Sequence, residues 1–295
     1  MIYDCFMVFN ELDLLEIRMN ILSPHVDYFV ITESTETFMG DKKPLYFKEN
    51  IERFRKFKDK ILYNYVDTRG MVFQNQFERE KYIKNNCLNP ILERDDDDIV
   101  MYSDLDEIPN PSAIERVVSD FQNNKVYHLA QRVFYAYMNY ENIDGKILSP
   151  SGEFEGIKEK SWLGTKITAL SLAKIISCDG LRTPKLINEN AERVSNGGWH
   201  FSWMGGSGES AYKRIKDKCK AFSHNEYNNP KYYNPIRLNY CLLKGRDFLR
   251  GGKDSPKFRL IDIDETYPQW LIEHYKEYPH FWKNKGMLWL QRIIM

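Results

Sequence analysis

The chain has 295 residues, enough for one large α/β domain or two small ones. Its 42 lysines and arginines balance 42 aspartates and glutamates, which leaves no global basic surface for nucleic acid. Five cysteines (Cys5, Cys87, Cys178, Cys219, Cys241) stand singly, without CxxC or His/Cys spacing; this argues against zinc and a disulfide framework and fits a reducing compartment.

The opening nine residues form an apolar run that carries Asp4 and lacks a basic leader, so they read as a first strand, buried from Phe6 to Phe9. No run of about 18 apolar residues suggests a membrane span. Asn10 is placed to cap the next helix, with Asp13 three residues on in a capping-box arrangement. Leu12, Leu15, Met19 and Leu22 give that helix its apolar face, and Ser23-Pro24 ends it. Tyr28 to Ile31 is a second strand running to Glu33, which completes a βαβ opening, and Ile61 to Val66 is a third. From Gln74 to Glu93 the pattern is helical, with Phe73, Phe77, Ile83, Cys87 and Ile91 on one arc and a kink expected at Asn89-Pro90. Asp95 to Asp98 form a solvated acidic turn.

Ile99-Val100-Met101-Tyr102 shows no alternation and reads as a strand buried on both faces, as in a parallel sheet. Asp104 and Asp106 follow at its carboxyl end, where open α/β sheets place their ligands. Asn110 and Pro111 then start a helix over Ser112 to Phe121. Two hard oxygen donors at this spacing suit Mg²⁺ or Mn²⁺ with a phosphorylated substrate, because such ions keep positions open for phosphate oxygens. Glu107 is placed to hold the turn by accepting backbone hydrogen bonds. Asp262-Ile263-Asp264-Glu265 repeats the pattern, but Arg259 interrupts its strand and no capped helix follows at once, so it reads as a surface turn.

Val126 to Tyr140 reads as one or two strands, 141–160 as a loop or flap, Ala169 to Ser177 as an apolar stretch and Cys178 to Asn196 as irregular. Gly197-Gly198 introduces a strand-like run, Trp199 to Trp203, in which His200 is either a packed core histidine or an imidazole that completes the metal site. Gly205-Gly206-Ser207-Gly208 turns into a helix through Phe222, with Ala211, Tyr212, Ile215 and Cys219 inward; the glycines either cradle a phosphate or form a flexible turn. Glu209 opens that helix, and His224 and Glu226 follow it on one loop. Glu33 can accept hydrogen bonds from ribose hydroxyls or a base, and Arg79 can reach a phosphate or pair with a carboxylate. Without internal repeats or a low-complexity linker, one domain is expected.

Several of these segments resemble glycosyltransferase family 17. They are Tyr3-Asp4-Cys5-Phe6, Phe9-Asn10-Glu11-Leu12, Leu15-Glu16-Ile17-Arg18, Val26-Asp27-Tyr28-Phe29-Val30 and Glu33-Ser34, with Thr37-Phe38, Gly40 and Lys43-Pro44-Leu45. Ser103 to Pro109, Gly197 to Ser202 and Ser223 to Asn228 complete the series, in order, to about residue 250. The resemblance implies an α/β chain of GT-A fold: a mixed, mostly parallel central sheet flanked by helices, with a Rossmann-like nucleotide-binding half. It divides the single domain into a nucleotide-sugar half (1–125), an acceptor and catalytic half (126–250) and a packed C-terminal tail (251–295).

The activity implied is an inverting, metal-dependent transfer from a UDP-sugar to a glycan or lipid-linked saccharide, with UDP-N-acetylglucosamine the favoured donor and Mn²⁺ or Mg²⁺ the cofactor. Asp104 and Asp106 match the motif that holds metal and donor, and His200 matches a histidine that completes the metal site. Asn10, Glu33 and Arg79 join the two aspartates as donor-binding candidates. For the base, Glu209 comes first and Glu226, tuned by His224, second; Glu153 and Glu155 are further carboxylates. The family's animal enzymes carry a membrane anchor and stem that this sequence does not show. A cytoplasmic bacterial or viral member is therefore expected, with room for peripheral membrane association. A metal-dependent phosphohydrolase or nucleotidyltransferase, and a silent glycan-binding protein, stand as alternatives.

Overall fold

In the computed structural model, residues 1–145, 161–182, 190–249, 255–283 and 286 are described. The first half runs β1 (Ile2–Met7), α1 (Leu12–Leu22), β2 (Tyr28–Ser34), α2 (Tyr46–Glu49), β3 (Ile61–Val66), α3 (Gln76–Asn85) and β4 (Ile99–Tyr102). These four strands lie parallel in the order β3-β2-β1-β4. The sheet therefore grows to one side of β1 and then to the other. A crevice opens outside the carboxyl ends of β1 and β4, where that direction reverses.

Both faces of these strands are covered, which explains their unbroken apolar runs. Tyr3, Cys5, Val100 and Tyr102 pack with Leu88 and Ile91 on one side, while Phe6 and Met101 pack against α1 on the other. Asp4 is admitted to this interior because Arg18 of α1, itself fully buried, meets it with two nitrogens at 2.9 and 2.6 Å.

The second half adds β5 (Glu107–Pro109), α4 (Pro111–Ser119), β6 (Val126–Tyr135), β7 (Tyr140–Asn142), β8 (Trp162–Ala169), α5 (Leu170–Ile176), α6 (Cys178–Leu181) and β9 (Ala191–Ser202). It continues with α7 (Ala211–Ala221), α8 (Pro235–Leu243), β10 (Phe258–Leu260) and α9 (Gln269–His274). Antiparallel pairing of β4 with β8 carries the same sheet on through β6, β7 and β10. β9 lies parallel to β6 and, antiparallel, holds β5 beside it. The fold is thus α/β with a mixed central sheet in which the long β6–β9 pairing extends the parallel share.

The glycine pair does not precede a strand but lies inside β9. A Cβ on Gly198, whose φ is +132°, would stand 2.2 Å from the Ile108 carbonyl oxygen, so glycine is what lets β5 and β9 approach. The long helix expected from Gln74 changes to a 3-10 turn at Asn86, ahead of Pro90. Ile83, Cys87 and Ile91 of its arc are buried, but Phe77 is 47% exposed. All five cysteines are free and buried, and no described helix is long and apolar enough to cross a membrane.

Candidate active site

Everything at the head of β4 is organised by Arg18. Its Nη1 donates to the carbonyls of Asp104, Leu105 and Glu107 (3.2, 3.1 and 2.9 Å), and its Nη2 donates to Ser103 Oγ at 2.8 Å. A buried guanidinium, neutralised by Asp4, thus fixes the loop carrying both aspartates from behind. Glu107 holds the loop from its other end, as expected of it: it is fully buried and accepts from Asp104 N at 3.1 Å. It also accepts from Trp162 Nε1 at 2.6 Å and Arg182 Nη1 at 2.5 Å.

The two aspartates face two cations. Asp104 Oδ2 meets Arg182 Nη2 at 2.6 Å, and Asp106 Oδ2 meets Lys218 Nζ of α7 at 2.9 Å. Burial alone would raise the Asp106 carboxyl; the Lys218 ammonium and the His200 imidazole overturn that and hold it far below the usual carboxylate range. Burial likewise works against Glu107, and Arg182 with His200 lowers it instead. Register places His200 of β9 opposite Glu107 of β5, with its ring 5.2 Å from that of Trp162.

Among the described residues no group of three or more His, Cys, Asp or Glu side chains converges as a metal cage. Asp106 Oδ1 and His200 Nε2 nevertheless face each other at 3.5 Å. That is long for a charge-assisted hydrogen bond and somewhat wider than the roughly 3.0 Å between neighbouring donors of an octahedral Mg²⁺, so the two would close slightly on an ion. This pair fits a divalent ion once Lys218 releases Asp106. Asp104 is engaged by Arg182 and in this arrangement stands outside that pair.

Asp104 and Asp106 open onto a cleft of about 140 Å³, walled by the ends of β1 and β2 (Met7, Thr32, Ser34), by Phe9 and Phe38, and by Glu80, Lys218 and Phe222. Glu11 and Lys43 also line it. Burial, reinforced by Asp106 against the opposing pull of Lys218, raises the Glu11 carboxyl, and burial lowers the Lys43 amine.

Other sequence candidates lie elsewhere. Glu33 is fully buried and already spent: it accepts from Phe47 N (3.0 Å), Lys48 N (3.3 Å) and Tyr63 Oη (3.0 Å), so it anchors α2 and is not open to a ribose. Asn10 does not cap α1; its Oδ1 accepts from Gly206 N at 3.2 Å. Asp13 does not close a capping box but takes Gly208 N and Ser207 Oγ, both at 2.7 Å. The glycine turn therefore offers neither of these N–H groups to a phosphate, because two side chains of the first half already use them.

Arg79 donates to the Phe38 carbonyl at 3.1 Å and packs against Gly40, so it buttresses one wall of the cleft from outside. Glu209 pairs with Lys213 at 3.0 Å and does not line the cleft. His224 Nδ1 lies 2.9 Å from Glu226 Oε1, and the His224 ring sits 5.0 Å from that of Phe222, one ring away from the cleft. Glu153 and Glu155 lie outside the described residues. The Asp262–Glu265 repeat is an exposed turn in which Asp264 accepts from Thr266 N at 3.0 Å.

Sequence reasoning missed Glu11, Glu80, Arg182 and Lys218. Lys218 had a signal: it stands three residues after Ile215 and one before Cys219, on the inward stripe of α7, where a lysine needs a partner. Arg182 had none, coming from a stretch without periodicity.

Comparison with known proteins bears on the same half of the chain. Residues 1–146 match the model of glycosyltransferase family 17. The human and rat proteins named beta-1,4-mannosyl-glycoprotein 4-beta-N-acetylglucosaminyltransferase are each 32% identical over 111 residues, covering 34% of this chain and 20% of theirs. The matched part thus spans about a fifth of the length of these curated relatives. Among solved structures, 4-diphosphocytidyl-2C-methyl-D-erythritol synthase from Anaerococcus prevotii DSM 20548 gives a TM-score of 0.37 at 11% identity, over 66% of this chain and 86% of its own. Glucosyl-3-phosphoglycerate synthase of M. tuberculosis gives 0.36 at 12% identity, over 92% and 91%. Residues 1–146, just under half of the chain, hold the Asp104/Asp106 loop and the parallel strands behind it, and it is this part that resembles glycosyltransferase family 17.

Proposed function

We propose that this protein is an inverting glycosyltransferase that moves N-acetylglucosamine from UDP-N-acetylglucosamine to a glycan acceptor, forming a β linkage. The observation that carries the reading is the cleft itself, with two aspartates at a topological switch point between parallel strands and two basic side chains facing them. In this reading uracil and ribose take the side of Phe9, Phe38 and the polar end of β2 (Thr32, Ser34), and the diphosphate takes the side of the aspartate loop, with the cleft widening to admit them.

A Mn²⁺ or Mg²⁺ ion held by Asp106 and His200 would supply Lewis-acid charge for the departing diphosphate. The chain's own cations share that role. Lys218 passes from Asp106 to the diphosphate as the cleft widens, and Arg182 steadies Asp104 while presenting positive charge to the leaving phosphate. Inversion needs one base on the side of the sugar opposite the diphosphate. The His224–Glu226 pair supplies it, with Glu226 orienting the imidazole. Glu209, drawn to Lys213, is set aside. Five buried free thiols support a reducing, cytoplasmic setting.

The test is a panel of nucleotide sugars with Mn²⁺ and a glycan array, read as nucleoside diphosphate released and product linkage. UDP release with β-linked product from one donor supports the reading. Pyrophosphate or inorganic phosphate as the product would replace it with a nucleotidyltransferase or phosphohydrolase.

A further inference from the structure

A second hollow, of about 730 Å³, lies beside α3 and is bordered by Phe77, Tyr82, Lys81, Lys84, Glu80 and His224. Glu80 lines both this hollow and the aspartate cleft, so the two spaces share a wall. Its chemistry differs from that of the cleft. Phe77 is 47% exposed and Tyr82 36%, although the arc on which Phe77 lies is otherwise the buried face of its helix. The Phe77 ring meets His224 edge-on with centroids 5.4 Å apart. Charges around the hollow are mixed, with Glu78, Glu80 and Asp179 against Lys81 and Lys84; Lys84 pairs with Glu80 at 2.7 Å, and Ser223 Oγ donates to Glu80 as well.

Such a wall suits a neutral polyhydroxylated ligand better than an anion. Aromatic faces take the C–H side of a pyranose ring, and alternating carboxylates and ammoniums take its hydroxyls. A nucleoside diphosphate would meet Glu78 and Glu80 with no surplus positive charge to offset them. The volume falls within the range of sites for ligands of a few sugar rings, roughly 300 to 1,000 Å³.

We infer that the hollow is the acceptor subsite, binding a neutral oligosaccharide with one ring stacked on Phe77, so that a hydroxyl reaches the seam where His224 and Glu80 stand. This rests on the transferase reading of the aspartate cleft and adds to it where the acceptor lies. It also gives a reason for the exposed phenylalanine, which packing does not supply.

The experiment is saturation-transfer NMR on the full chain with mannotriose and with N,N′-diacetylchitobiose at millimolar concentration, repeated with saturating UDP. A saccharide signal that persists with UDP, and weakens about tenfold in affinity in Phe77→Ala but not in Phe77→Tyr, is the expected result. UDP affinity, measured in parallel, should not change in either variant. Displacement of the saccharide by UDP, an unchanged saccharide signal in Phe77→Ala, or silence from both saccharides would overturn the inference. Hydrolysis of UDP-N-acetylglucosamine by the wild-type protein, followed separately, distinguishes the failures. If hydrolysis persists, only the acceptor site is lost; if it and UDP binding are absent, the transferase reading falls as well.

Discussion

At the scale of single residues, charge placement decides what the site can do. Lys218 is held in a half-buried position by Asp106 and Glu11, and it is the ammonium that a diphosphate would recruit. Lys218→Met should weaken UDP binding roughly 10- to 100-fold, the usual worth of a charged hydrogen bond, with Lys218→Arg retaining part of it. Unchanged affinity in Lys218→Met, measured by calorimetry, would remove Lys218 from the site. His128 of β6 shows a buried titratable group with a purely structural effect. Burial, with Lys166 opposite it in register, lowers its pKa to about 3 from 6.5, so it stays neutral in the fold while the unfolded chain takes up a proton. Stability must therefore fall as pH drops through 6.5 toward 3, by at most about 1.4 kcal/mol per unit. Urea titrations between pH 6.5 and 4.5 should show that slope in the wild type and its loss in His128→Leu; equal slopes would show that His128 does not carry it.

Among elements, α1 joins the sheet to the aspartate loop through one side chain. Removing Arg18 leaves Asp4 charged and unpaired in the core, so Arg18→Met should cost about 3 to 5 kcal/mol. The double variant Asp4→Leu/Arg18→Met should recover much of that stability, because no lone charge remains. It should not recover UDP binding, since the carbonyls of Asp104, Leu105 and Glu107 have still lost their donor. A double variant that binds UDP normally would mean the loop holds itself. This scale also shows where the sequence was legible. Strand β3, the Asn110-Pro111 start of α4 and the Ser23 end of α1 were readable because local chemistry decides them. Asn10 and Asp13 carried the same kind of local signal, but tertiary partners nearly 200 residues away outcompeted the cap. In α3 and the 3-10 turn after it the arc correctly gave Ile83 and Cys87 to the core. It failed at Phe77 because periodicity reports a face and not what covers it.

Across the whole molecule, one sheet carries a parallel first half into a mixed second half, and the site lies where α7, β9 and the Arg182 segment fold back over the first half. The two aspartates were legible because one unbroken apolar strand and one capped helix bracket them. Their partners Arg182 and Lys218 were not, since each reaches the loop only through long-range packing. Binding of a nucleotide sugar at this loop is the property on which every proposed role of its residues depends. The most direct measurement is calorimetric titration of UDP-N-acetylglucosamine, with and without Mn²⁺, into the wild type and Asp106→Asn, with a thermal melt confirming that both are folded. Binding strengthened by Mn²⁺ in the wild type and lost in folded Asp106→Asn is the predicted result. Equal binding by the two proteins, or no binding by a folded wild type, would contradict it.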